Sequence, residues 1–209
     1  MGGLFVKICG ITNAKDARVA VEAGADAIGF IFVPNTPRYI EVADAQQIAA
    51  GIPERVKKVG VFVNDSVEAV NRAVREVPLD LVQLHGDETA SFARLVEAPI
   101  IKAIRVRGAI DVEGFRAYKA SAYLLDTYVE DAHGGTGKAF DWALALPVVN
   151  AGLRVLLSGG LGPENVAEAV RRVRPFGVDV SSGVEASPGR KDSEKVRAFI
   201  ENARGAASG

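Results

Sequence analysis

The chain has 209 residues, 48% of them hydrophobic and 24% charged, with 25 Lys and Arg against 26 Asp and Glu for a net charge of −1. So even a balance, with no basic stripe, excludes a protein built to hold nucleic acid or an anionic membrane surface. A single cysteine excludes an intrachain disulfide and fits a reducing compartment, no stretch approaches the roughly 18 apolar residues of a membrane span, and the N-terminus lacks a secretory pattern; a soluble cytoplasmic protein is expected.

Short runs rich in Val, Ile, Leu and Phe punctuate the chain and read as strands buried on both faces. The first covers residues 4–9. Asn13 followed by Asp16 then opens a helix near Ala17, Ala20 and Val21. Runs at 27–32 and 58–63 follow, and Asp65 and Ser66 lead into a looser helical stripe of Val67, Val70, Val74 and Val77. Four more runs lie at 80–85, 100–106, 122–126 and 154–158. Val166, Ala169, Val170 and Val173 then fall at i, i+3, i+4 and i+7, with Pro163 where a first helical turn tolerates it. A last run at 177–180 precedes Val196, Phe199, Ile200 and Ala203, which repeat the helical spacing after Ser193 as cap.

Eight alternations of strand and helix leave an open doubly wound sheet or a closed (β/α)8 barrel, and the count of eight favours closure. About 26 residues per unit is compact for such a barrel. With no linker, composition break or internal repeat, one α/β domain is expected over 1–209, with an ordered core from about 4 to 204.

In a barrel of this kind, function belongs at the C-terminal ends of the strands and in the loops that follow. Those positions carry Cys9, the 34–38 stretch ending in Arg38, Gln83 with His85-Gly86-Asp87-Glu88, Asp126, Ser158-Gly159-Gly160 and Ser181-Ser182-Gly183. Strand alternation puts Lys7 on the same inward face as Cys9, and Val178 and Val180 turn Asp179 inward. First and last strands are neighbours in a closed barrel, so Lys7 and Asp179 are candidates for a buried ion pair below Cys9. Taken singly, Cys9 reads as core, Asp126 equally as a cap or turn residue or as a functional one, and Arg38 as a solvated loop charge. His85 has no partners for a zinc site or a catalytic triad, because the only other histidine is His133 and the lone cysteine ends the first strand.

Five motifs in register change that reading. Lys7-Ile8-Cys9-Gly10-Ile11-Thr12, Gln83-Leu84-His85-Gly86-Asp87-Glu88, Gly134-Gly135-Thr136-Gly137 with Phe140-Asp141-Trp142, Ser158-Gly159-Gly160-Leu161 with Pro163-Glu164-Asn165, and Val178-Asp179-Val180-Ser181-Ser182-Gly183-Val184-Glu185 occur in this order. Together, from Lys7 to about Phe199, they resemble the phosphoribosylanthranilate isomerases of tryptophan biosynthesis. The resemblance implies an Amadori rearrangement of a phosphorylated aminoaldose to an aminoketose, with Asp126 as general acid and Cys9 as general base, and with no metal or organic cofactor. It implies that Arg38 binds the anthranilate carboxylate. Gly159, Gly160, Ser181, Ser182 and Gly183 are expected to hold the phosphate, as loops after strands seven and eight of barrels commonly do. Gln83 and His85 are expected to shape the site by hydrogen bonding. Residues 134–137 should form a closing lid that brings Gly135 to the substrate, with Asp141 and Trp142 anchoring the helix beyond. Lys7 and Asp179 are expected to support Cys9, and the chain to be a monomer or homodimer. The related histidine-pathway isomerase is disfavoured by Cys9, where Asp is expected, and by the missing half-barrel repeat. A non-catalytic phosphate-binding barrel is disfavoured because acid and base are both present.

Overall fold

The computed structural model describes residues 3–106, 111–126 and 142–208. Eight parallel strands close into a barrel: β1 (Phe5–Cys9), β2 (Ala27–Ile31), β3 (Lys57–Phe62), β4 (Leu81–Leu84), β5 (Ile100–Arg105), β6 (Ala122–Asp126), β7 (Val155–Leu157) and β8 (Gly177–Val180). Each strand pairs with the next, and β8 returns to β1 with Lys7 opposite Asp179. The strands lie within about a residue of the apolar runs in the sequence, because a strand covered on both faces needs apolar side chains in both directions.

Alternation sorts those side chains into two cores. Ala27, Val59, Ile101, Ala103, Ala122, Leu124 and Leu156 fill the barrel. Val6, Ile8, Ile28, Phe30, Val82, Leu84, Val178 and Val180 point outward into the larger core beneath the helices. Those helices are α1 (Ala14–Glu22), α2 (Val42–Ala50), α3 (Val67–Glu76), α4 (Ala90–Ala93), α5 (Val112–Arg116), α6 (Leu146–Asn150), α7 (Val166–Val173) and α8 (Ser193–Ala207). α4, α5 and α6 are only 4, 5 and 5 residues long, which is how eight units fit into so short a chain. None of the described helices is long and apolar enough to cross a membrane.

Capping follows the sequence at two places and departs from it at two. Asn13 accepts the Asp16 N–H, and Ser66 accepts the Ala69 N–H. α8, however, is capped by Asp192, whose carboxylate accepts the N–H groups of Glu194 and Lys195, while Ser193 is already helical. Pro163 likewise stands in the turn before α7 rather than in its first turn. Asn165 shapes that turn, because its side chain accepts from the Gly162 N–H and donates to the Gly160 carbonyl. A small antiparallel hairpin that no apolar run announces follows β8, pairing β9 (Glu185–Ser187) with β10 (Arg190–Lys191). Trp142 is buried at the start of a 3₁₀ turn before α6. Asp141, His133, Gly135 and the 134–137 stretch lie outside the described residues.

Candidate active site

One cavity at the C-terminal end of the barrel is lined by Cys9, Arg38, Gln83, His85, Asp126, Asp179 and the small residues Gly159, Gly160, Ser181, Ser182 and Gly183. All the described candidate residues therefore converge except Lys7, which is fully buried one layer below Cys9. Among the described residues, no group of three or more His, Cys, Asp or Glu is placed to hold a metal ion.

Two polar chains rise on opposite walls. On the β1 side, Lys7 Nζ donates to Asp179 Oδ1 at 2.7 Å, and Ser158 Oγ donates to Asp179 Oδ2 at 3.1 Å. Burial opposes the charge on Lys7, but the carboxylate of Asp179 and the neighbouring Cys9 outweigh it and hold the ammonium above the ordinary lysine range. The same burial pushes the Cys9 thiol up; Lys7 offsets part of the rise and Asp179 adds to it. Cys9 therefore rests as a thiol at neutral pH. Space for it comes from Gly29, where a Cβ would stand 2.7 Å from Cys9 Sγ and 3.3 Å from Lys7 Cε.

On the opposite wall, Gln83 Nε2 lies 2.8 Å from His85 Nδ1, and His85 Nε2 lies 3.1 Å from Asp126 Oδ2. With the Gln83 amide nitrogen turned toward the ring, Nδ1 accepts and Nε2 carries the proton that faces Asp126, while Gln83 Oε1 stays buried without a partner among the described residues. That leaves Asp126 Oδ1 without a partner among the described residues.

The loops after β7 and β8 touch. A Cβ on Gly183 would collide with the Leu161 carbonyl and approach the Gly162 Cα, so only glycine lets them pack. Gly159 and Gly160 adopt φ of 79° and 63°, the left-handed region that glycine enters without strain. The Ser181 hydroxyl is buried with no hydrogen-bond partner. Such a group lining a cavity is one that a ligand oxygen satisfies.

Arg38 is engaged in a way the sequence did not indicate. Its Nε and Nη2 donate to the two carboxylate oxygens of Glu185, at 2.8 and 2.6 Å. Lys191, on β10, donates to Glu185 Oε1 and to the Ser181 carbonyl, both at 3.0 Å. Burial disfavours the Glu185 carboxylate, but these two cations hold it below the usual range. The fork of Arg38 is thus aimed by Glu185, and Lys191 ties that carboxylate to the loop of Ser181. Glu185 ended the last sequence motif, but nothing in the spacing linked it to a residue 147 positions away.

Residues 6–202 match the family model described as N-(5′-phosphoribosyl)anthranilate isomerase. An N-(5′-phosphoribosyl)anthranilate isomerase from Trichlorobacter lovleyi is 52% identical over 199 residues, covering 95% of this chain and 97% of its own. The crystal structure of the Thermotoga maritima phosphoribosylanthranilate isomerase superposes with a TM-score of 0.89 at 48% identity, covering 97% of this chain and 99% of that one. A phosphoribosylanthranilate isomerase in complex with reduced 1-(o-carboxyphenylamino)-1-deoxyribulose 5-phosphate gives a TM-score of 0.87 at 46% identity, with coverage of 97% and 99%. The chain belongs to the phosphoribosylanthranilate isomerase family.

Proposed function

We propose that this barrel converts N-(5′-phosphoribosyl)anthranilate into 1-(2-carboxyphenylamino)-1-deoxyribulose 5-phosphate by general acid–base catalysis, in the tryptophan pathway. The observation that carries this reading is the placement of Cys9 and Asp126 on β1 and β6, lining one cavity with the two glycine loops. Asp126 gives a proton to the furanose oxygen as the C1′–O bond breaks and the Schiff base forms. Cys9, as thiolate, then removes the proton from C2′. The resulting enolamine tautomerises to the ketone, with a proton added at C1′ and one lost from the 2′ hydroxyl. The reaction is an internal rearrangement and needs no oxidant or reductant.

His85 holds one oxygen of Asp126, so the other is left for the substrate. The small loops after β7 and β8 suit a phosphate, because backbone amides approach an anion most closely where no Cβ intervenes. The ligand in the solved relative's complex carries both a phosphate and a carboxylate. Arg38 then serves the carboxylate, with Glu185 fixing its plane. On this reading Arg38→Ala raises KM about ten- to a hundredfold, the loss expected for one charge-assisted hydrogen bond, while kcat changes less. Steady-state kinetics checks it; an unchanged KM would leave Arg38 only as a partner for Glu185.

Complementation tests the activity itself. The gene should restore growth to a tryptophan auxotroph lacking this isomerase and fail to restore a histidine auxotroph lacking the related enzyme. Growth of neither strain, with soluble protein present, would overturn the reading; growth of both would widen it to the histidine-pathway substrate.

A further inference from the structure

Of the motif His85-Gly86-Asp87-Glu88, only the histidine enters the chemistry above. Glu88 is nonetheless buried, and so is Lys102 on β5. Lys102 stands between Ile101 and Ala103, which fill the barrel, so alternation turns it outward beneath the helices. Its ammonium donates to the Leu84 carbonyl at 3.2 Å, the Gly86 carbonyl at 2.6 Å and Glu88 Oε2 at 2.9 Å, which uses all three donors. The Glu88 carboxylate also accepts the Gly86 N–H, at 3.0 and 3.1 Å to its two oxygens, and the Asn64 N–H at 2.8 Å. Asn64 Oδ1 in turn accepts the Asp87 N–H at 2.7 Å. The backbone is thus gripped on both sides of His85, at residues 84 and 86, by one ion pair.

Stability alone does not account for this arrangement. A buried ion pair gains little over well-packed apolar residues, because both charges lose their hydration. What a fully satisfied polar network does supply is a single geometry. Geometry matters here, since the His85 to Asp126 contact, at 3.1 Å, already lies near the long end of the roughly 2.7 to 3.2 Å range of N–H···O hydrogen bonds. A small shift of the β4–α4 loop would break it.

We propose that Lys102 and Glu88 are positioning residues, an ion pair outside the barrel that holds His85 against Asp126 and so orients the acid. The proposal rests on Asp126 being that acid. Glu88→Gln keeps the size of the side chain and one acceptor oxygen; Lys102→Met removes the cation. In both, kcat should fall about ten- to a hundredfold, the scale of a misplacement near 1 Å, with KM within about twofold. The ¹⁵N NMR signals of the His85 ring, one of two histidines in the chain, should move away from a single Nε2–H tautomer. In a His85→Ala background the same substitutions should cost no further kcat.

Unchanged kcat and unmoved His85 signals in folded Glu88→Gln would overturn the proposal, and so would losses that multiply with that of His85→Ala. If Lys102→Met fails to fold, Glu88→Gln decides alone. The two readings fail separately: a fully active Asp126→Asn removes the acid, whereas shifted His85 signals in Glu88→Gln would still report the positioning.

Discussion

Asp126→Asn and Cys9→Ser should each lower kcat by at least about a hundredfold, the lower range for loss of a general acid or base, with the barrel intact. Asparagine keeps the shape of Asp126 and can still accept from His85 Nε2, but it has no proton to give to a ring oxygen. Serine nearly matches cysteine in shape, yet its hydroxyl is a far weaker acid and holds almost no anion at any working pH. The pH profile separates the two roles. Burial raises the Cys9 thiol, so the active thiolate is a minor form near neutrality. An active form that is the deprotonated one, with its pKa displaced upward, moves the ascending limb of kcat/KM to higher pH. The rate should climb about tenfold per unit through neutrality and level off only above the ordinary thiol value of about 8.5. Turnover near wild type in either folded variant would remove that residue from the mechanism. A limb that persisted in Cys9→Ser would assign it to another group.

Much of this site was legible because it sits on strands. Period-two alternation and closure of the barrel together place Lys7 opposite Asp179, and the 2.7 Å contact lies where those two rules put it. The same rules carry Cys9, Gln83 and Asp126 to the inner face. Legibility ended where side chains leave their own strand. Lys102 reads from sequence as a polar break in an apolar run, but its reach to two carbonyls of the neighbouring strand and loop depends on how β4 ends. Arg38 and Glu185 stand in different loops, and no periodicity couples loops. Gly29 lies in mid-strand with no turn to explain it, and its reason, room for a thiol on the neighbouring strand, appears only once β1 and β2 are in register. The cap of α8 moved from Ser193 to Asp192 because both residue types cap well, and propensity does not choose between adjacent candidates.

The near-neutral charge of the chain also acquires a local meaning. Along the β1, β2 and β8 side of the mouth, Lys7 is matched by Asp179, and Arg38 with Lys191 share the single carboxylate of Glu185. The second of these clusters carries one net positive charge beside Ser181. On the proposed reading, attraction for a substrate bearing a phosphate and a carboxylate arises at that rim, over short distances, and not from the field of the whole molecule.

Lys7→Met should cost about 3 to 5 kcal/mol of stability, the range for removing one partner of a buried pair. Lys7 is fully buried and Asp179 is 5% exposed, so the carboxylate left behind would keep, from the described side chains, the hydrogen bond of the Ser158 hydroxyl. Against a usual domain stability of about 5 to 15 kcal/mol, that loss should be plain in a urea titration at pH 7. The sign of the linkage fixes where it appears. Lys7 has its pKa raised on folding, so its contribution is fully present below the unfolded value near 10.4 and is lost only as pH rises through the folded one. The gap between wild type and variant should therefore be constant across neutral pH and narrow in strong alkali. Removing the cation also takes away the chief offset to burial at Cys9, so the thiol rises further and the ascending limb of kcat/KM moves to higher pH. Lys7→Met/Asp179→Leu tells the two effects apart. With no orphaned carboxylate, much of the stability should return. Asp179 also adds to the rise at Cys9, so its removal brings the limb only part of the way back. A single variant that lost under about 1 kcal/mol and kept the wild-type limb would show that Lys7 neither braces the barrel nor tunes the thiol.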